Sequence, residues 1–110
     1  MSTPTLNDLA TKYFRTKGYK AKQNITLEGS SGMPRRFDLL ITRSNEQRVV
    51  QICNWKRTVG VNIVINLDKA SEDVGFKKPI AISEKFSSHA KAYANRKGVM
   101  LLTKRELRKY

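Results

Sequence analysis

A pair of apolar runs split by a short polar turn constrains this chain more than any other feature. Phe37-Asp38-Leu39-Leu40-Ile41 and Val49-Val50-Gln51-Ile52-Cys53-Asn54-Trp55 flank Arg43-Ser44-Asn45-Glu46. Strand-forming residues on both sides of so short a connection predict an antiparallel hairpin. The second run is apolar enough to be a central strand covered on both faces, so packing layers are needed above and below the sheet.

The rest of the chain supplies those layers. Leu6, Leu9, Ala10, Tyr13 and Phe14 recur at helical spacing and predict an amphipathic helix over residues 5–17. Thr5 or Thr3 can cap it, and Gly18 stands where it should stop. Residues 19–27 read as a strand with Ile25 and Leu27 on one face, and residues 28–36 as a flexible loop. Residues 61–75 read as a second helix, with Ile63, Leu67, Ala70 and Val74 on one face and Gly75 at its end. A short buried strand at 79–82 follows. A third helix carries Phe86, Ala90, Tyr93, Ala94 and Lys97 and is closed by Gly98. A last strand at 99–102 and a short basic helix finish the chain. The late strand–helix–strand unit implies a parallel pair with a right-handed crossover. Together with the hairpin, this predicts one α/β domain over residues 1–110, a mixed β-sheet flanked by helices in the order αβββαβαβ.

Charge bears on the partner. Lys and Arg number 22 against 9 Asp and Glu, a formal net charge of +13. That excess favours a polyanion. It is spread along the chain, so it belongs to the surface of a folded domain, with Lys104-Arg105-Glu106-Leu107-Arg108-Lys109 the densest patch. No apolar run approaches the roughly 20 residues of a membrane span, and residues 1–5 lack a basic-then-apolar leader pattern. Cys53 is the single cysteine, which excludes an internal disulfide and suits a reducing, intracellular setting. With one Cys and one His (His89), a Cys/His zinc site is implausible.

Two polar residues sit in odd places. Asp38 interrupts an apolar strand just after a basic loop, and Gln51 lies inside the most apolar strand. An amide buried without partners costs about 1–3 kcal/mol. The hairpin can bring both side by side next to Arg35 and Arg36, the ingredients of a magnesium and phosphate site. The plainer readings are that Asp38 pairs with Arg35 or Arg36 and that Gln51 hydrogen-bonds the hairpin.

From Gly18-Tyr19, through the Gly-rich loop and Arg36-Phe37-Asp38-Leu39-Leu40, to Val49–Val61 with its Gln51-Ile52-Cys53, the chain resembles the core of the PD-(D/E)xK nuclease superfamily. Within it, the Mrr-type restriction endonucleases are most similar, with the Holliday junction resolvases further off. Phe86-Ser87-Ser88-His89-Ala90-Lys91-Ala92-Tyr93-Ala94 and Gly98-Val99-Met100-Leu101-Leu102 resemble the second half of that domain.

The resemblance implies a restriction-endonuclease-like fold with catalytic and metal-binding roles for Asp38 and Gln51, Gln being the Mrr variant of the second ligand. It implies an acidic residue from the first helix near Asn7, where Asp8 stands beside the matching position. It implies Mg2+ or Mn2+ in an active member, and a homodimer, since two strands must be cut. The lysine two residues after the second ligand is replaced by Cys53, and a neutral thiol cannot stabilise developing negative charge as an ammonium does. Lys56 is the candidate relocated lysine; Lys20 and Lys22 are others. The expectation is a nucleic-acid-binding protein of nuclease fold with impaired catalysis, in which Arg35, Arg36, Lys56 and Arg57 grip phosphates. The alternatives are an active endonuclease using a relocated lysine, and an RNA-binding module. The resemblance favours DNA, although a basic surface does not itself choose between DNA and RNA. Cys53 reads as a small buried hydrophobe, Phe37 and Trp55 as core or rim, and His89 as a core or boundary residue on the apolar stripe of its helix.

Overall fold

A computed structural model of the protein describes residues 5–54 and 56–108. The chain forms α1 (Leu6–Thr16), β1 (Lys20–Glu28), β2 (Pro34–Arg43), β3 (Glu46–Ile52), α2 (Val61–Asp73), β4 (Ile80–Ser83), α3 (Ser88–Lys97), β5 (Met100–Thr103) and α4 (Lys104–Leu107). The five strands make one sheet in the order β1-β2-β3-β4-β5. The first three pair antiparallel and the last three parallel. This is the mixed sheet flanked by helices that the sequence predicts.

Local chemistry explains the ends. Thr5 caps α1 through a reciprocal capping box with Asp8, satisfying N–H groups that no helical carbonyl can reach. Ser87 caps α3, and Gly98 ends it in the left-handed conformation at φ 77. Ser44, at φ 54, turns the β2–β3 hairpin.

The core has two layers. On one face, Leu39, Ile41, Val50, Ile52, Ile80, Ile82 and Leu102 pack with Leu6, Ala10 and Phe14 of α1 and Leu107 of α4. On the other, Phe37, Leu40, Val49, Cys53 and Ala81 pack with Val64 and Leu67 of α2 and Ala90 and Ala94 of α3. Strict alternation would place Phe37 and Leu40 on opposite faces. They share one because β2 changes face around Asp38. Opposite Asp38, β1 is kinked: Asn24 has φ 51, and the ladder pairs Gln23 with Leu39 and Ile25 with Phe37 on either side. The pairing of β2 with β3 also begins just past this point, at Leu39 and Val50. Asp38 therefore stands where β2 and β3 diverge.

Several boundaries differ from the sequence reading. Pro34, Arg35 and Arg36 lie in β2, paired with Glu28, Leu27 and Thr26, so the loop is shorter. β3 ends at Ile52, before Cys53. Phe86 lies before α3, in a parallel bridge with Val59. His89 is exposed, because Ala90 and Ala94 set the buried face of α3 and His89 lies beside it. Thr3, Trp55 and Lys109 lie outside the described residues. Among the described residues no helix is long and apolar enough to cross a membrane.

Candidate functional site

The fork between β2 and β3 is held by Asp38. Its side chain reaches across the gap, and Oδ2 accepts a hydrogen bond from the backbone N–H of Ile52 at 2.6 Å. The residue is only 8% exposed. An unpaired N–H there would be expensive, so the carboxylate replaces a ladder bond that the diverging strands cannot make. Oδ1 faces Arg36 Nη1 at 3.5 Å, and Arg36 Nη2 donates to Asn24 Oδ1 at 2.9 Å. The left-handed backbone of Asn24 thus lies opposite Asp38 and supplies the third member of the network. Asn tolerates that conformation better than most residues.

Beyond the fork, β2, β3 and α2 enclose a cavity of about 340 Å³. Pro34, Phe37, Ile63, Leu67 and Ala70 give it apolar walls, with Gln51, Cys53, Asn66, Arg35 and Arg36 also lining it. Cys53 is 1% exposed. Burial, and secondarily the charge of Asp38, push its thiol up to about 11, so it is a neutral S–H at physiological pH. Cys53 N–H donates to Ile82 O at 2.8 Å, which continues the β3–β4 register and puts Ser83 beside Cys53. The Ser83 hydroxyl is buried and has no hydrogen-bond partner among the described residues.

The loop beside the cavity is anchored by Asp73, a residue that sequence reasoning alone misses. Asp73 ends α2, where a negative charge opposes the helix dipole. Its carboxylate accepts from Ser30 Oγ at 3.1 Å, Ser31 N at 2.9 Å, Ser31 Oγ at 2.8 Å and Arg35 Nε at 2.9 Å. The Arg35 bond first, and the Ser31 bonds next, hold this carboxyl well below the ordinary carboxylate range. Gly29 passes so close that a Cβ there would collide with the Asp73 carboxylate. An acid at a helix C-terminus with no basic residue in its last turn was the available signal for a tertiary partner.

The structure gathers Gln51, Cys53, Arg35 and Arg36 around one cavity and ties Asp38 to it through Arg36 and Ile52. It does not bring Asp8 there: Asp8 serves the α1 capping box and borders a separate depression with Lys12, Arg15 and Gln23. Lys56 and Arg57 are exposed beyond the end of β3 and do not line the cavity. Lys20 and Lys22 are exposed on β1.

The nuclease superfamily calls for a divalent metal at the fork. The donors here do not fit one. Among the described residues Asp38 is the single carboxylate at the fork, with Oδ2 bonded to Ile52 N and Oδ1 facing Arg36 at 3.5 Å. Gln51 is uncharged, and no group of three or more His, Cys, Asp or Glu residues among the described ones could hold a metal ion. Magnesium sites draw on one or two carboxylates free to bind it.

The sheet order, the flanking helices and the Asp38 fork define a restriction-endonuclease-like nuclease fold. Solved structures agree. The protein of unknown function AF1548 superposes with a TM-score of 0.78 at 20% identity, over 88% of this chain and 55% of that one. Can2 from Sulfobacillus thermosulfidooxidans, in complex with cyclic tetra-adenylate, superposes at 0.67 and 13% identity, over 87% of this chain and 30% of its own. EndoMS, in a complex with double-stranded DNA, superposes at 0.56 and 15% identity, over 94% of this chain and 45% of its own. The chain thus spans about half or less of these proteins. No curated protein matches it. The model of the restriction endonuclease family with the Mrr-type catalytic domain, Mrr_cat, matches residues 1–110, and the chain belongs to that family.

Proposed function

We propose that this domain binds nucleic acid, DNA in preference to RNA, without metal-dependent cleavage. The observation that carries the reading is the engagement of Asp38: its carboxylate is bonded to Ile52 N and faces Arg36, while a buried neutral thiol occupies the lysine position. The net charge of +13 supports a polyanionic partner. Phosphates are gripped by exposed cations, Arg36 at the cavity and Lys56 and Arg57 beyond the end of β3, with Arg35 held by Asp73. Recognition through phosphates is sequence-independent or follows the shape of the nucleic acid. Members of this fold that cut both strands work as pairs, and a homodimer is the expected assembly.

The test is one assay with duplex, single-stranded and four-way-junction DNA and matched RNA, in magnesium, manganese or EDTA, read by gel shift and by cleavage. We expect binding unchanged by EDTA and no cleavage. Affinity should fall with salt at a log–log slope of roughly −0.9 per phosphate neutralised on duplex. Cleavage by the wild type in magnesium, lost in Asp38→Ala, would establish instead an active nuclease with a relocated lysine such as Lys56. Tighter binding to the RNA set would make the domain an RNA-binding module.

A further inference from the structure

The cavity beside Asp38 is built for something other than a metal or a bare phosphate. Part of its wall is apolar, Phe37 of β2 and Ile63, Leu67 and Ala70 of α2, with Arg35 and Arg36 also lining it. Gln51 and Asn66 line the same space, and no hydrogen bond ties either amide to a neighbour among the described residues. Each carboxamide offers both a donor and an acceptor. A phosphate would find no use for apolar walls, and a purely apolar ligand would leave both amides unpaired. The ligand that satisfies the whole lining is flat, largely apolar on its faces, and edged with mixed donors and acceptors. A nucleobase has that chemistry. At about 340 Å³ the space lies at the small end of ligand cavities, with room for one such group. Arg36 at the rim has a side chain 60% exposed, placed to meet the phosphate attached to the base.

We propose that this cavity receives one unstacked nucleobase, held by Gln51 and Asn66 between the apolar walls, with its phosphate at Arg36. This rests on the reading of the domain as a nucleic-acid binder. It assigns to Gln51 the role of base recognition and makes the domain selective for strands from which a base can leave the stack: single strands, mismatches and junctions. The same chemistry can come from a free nucleotide, so the experiment separates the two sources.

The probe is a short single strand and a mismatched duplex, each carrying 2-aminopurine at one position, with anisotropy reporting binding and 2-aminopurine emission reporting unstacking. Asn66→Ala removes one amide from an exposed position, and Ala70→Phe fills the cavity from α2; circular dichroism checks that both fold. In the wild type the emission should change on binding. In both variants that change should be lost, and affinity for the single strand should weaken by about tenfold, the scale of one lost base contact. A fully paired duplex should bind wild type and variants alike. An adenosine monophosphate titration of the wild type and Ala70→Phe runs in parallel. Strands bound by the wild type with unchanged emission, and equally by Ala70→Phe, overturn the base pocket while leaving nucleic-acid binding intact. No binding of any strand overturns the functional reading; the pocket then survives only if the mononucleotide binds the wild type and not Ala70→Phe, and falls if it binds neither.

Discussion

Asp38→Ala is the substitution that most directly separates a structural carboxylate from a catalytic one. In the wild type Asp38 Oδ2 accepts from the N–H of Ile52, which is itself buried. Truncation leaves that N–H unpaired where β2 and β3 diverge, at about 1–3 kcal/mol. The pair with Arg36 adds little, since the arginine side chain is 60% exposed and such pairs are worth about 0–1 kcal/mol. A total near 2.5 kcal/mol, set against an unfolding entropy of about 2.1 cal/mol/K per residue, lowers the melting temperature of a chain this size by about 10 °C. Asp38→Asn keeps an acceptor for Ile52 N–H and should lose less than half of that. Scanning calorimetry or urea denaturation of the three proteins, with and without magnesium, makes the comparison. A variant Asp38→Ala that melts with or above the wild type, together with magnesium raising the melting point of the wild type alone, would refute the reasoning. That pattern belongs to a carboxylate held ready for a metal at the expense of stability.

Four further outcomes follow from the same geometry. The Cys53 thiol ionises at about 11 in the folded chain against 9.0 as its ordinary value, so its contribution is intact below pH 9 and is lost as pH rises toward 11; the unfolding free energy from urea titrations should fall there by up to about 1.4 kcal/mol per pH unit more than in Cys53→Ala. Asp73 has a depressed carboxyl, so its contribution is present above the ordinary carboxylate pKa and is lost on acidification; Asp73→Asn should flatten the acid limb of the stability profile, and an unchanged limb would refute the role of the Arg35 and Ser31 bonds. Gly29→Ala pushes a Cβ into the Asp73 carboxylate and should cost about 1 kcal/mol, a cost that disappears in an Asp73→Ala background when the double-mutant cycle is measured by denaturation. Ser83→Ala removes a buried hydroxyl that has no partner among the described residues, and thermal melting should show it neutral or stabilised.

The fold was legible because its layers are written in periodicity. Leu6, Ala10 and Phe14 recur at helical spacing, and Val49, Val50 and Ile52 form a run that only a strand covered on both faces can bury. The resemblance found Asp38, Gln51 and Cys53, and the structure sets all three at or beside the fork. What stayed hidden was the local departure from period. Asn24 is a residue type that tolerates the left-handed region, but a lone Asn does not fix that conformation inside a strand, and strict alternation cannot put Phe37 and Leu40 on one face. The early end of β3 follows from the same divergence: past Gln51 the β2 side of the strand is served by the Asp38 side chain in place of a backbone carbonyl. His89 falls on an apolar stripe only in a helix that starts at Phe86, and Phe86 instead pairs with Val59.

On the proposed reading, the pairing of Asp38 with Arg36 links lost hydrolysis to metal-independent binding. A cluster of unpaired carboxylates repels a phosphate backbone until a metal ion neutralises it, so a metal-dependent centre binds its substrate well only when loaded. In this domain the carboxylate at the fork and the one that anchors its loop each face an arginine: Asp38 faces Arg36, and Asp73 holds Arg35. The net charge of +13 gives the surface as a whole a positive field. The neutral Cys53 thiol and the Gln51 amide add no charge of either sign. A cleft with these pairs, on the proposed reading, accepts a polyanion without a metal. Metal-independent binding and absent hydrolysis then follow, on that reading, from one electrostatic arrangement, and Cys53→Lys alone should not restore cleavage while Asp38 stays bonded to Ile52. If Cys53→Lys cleaved DNA in magnesium, the Asp38 carboxylate would have to leave Ile52 for a metal, and its bond at the fork could not be what silences hydrolysis.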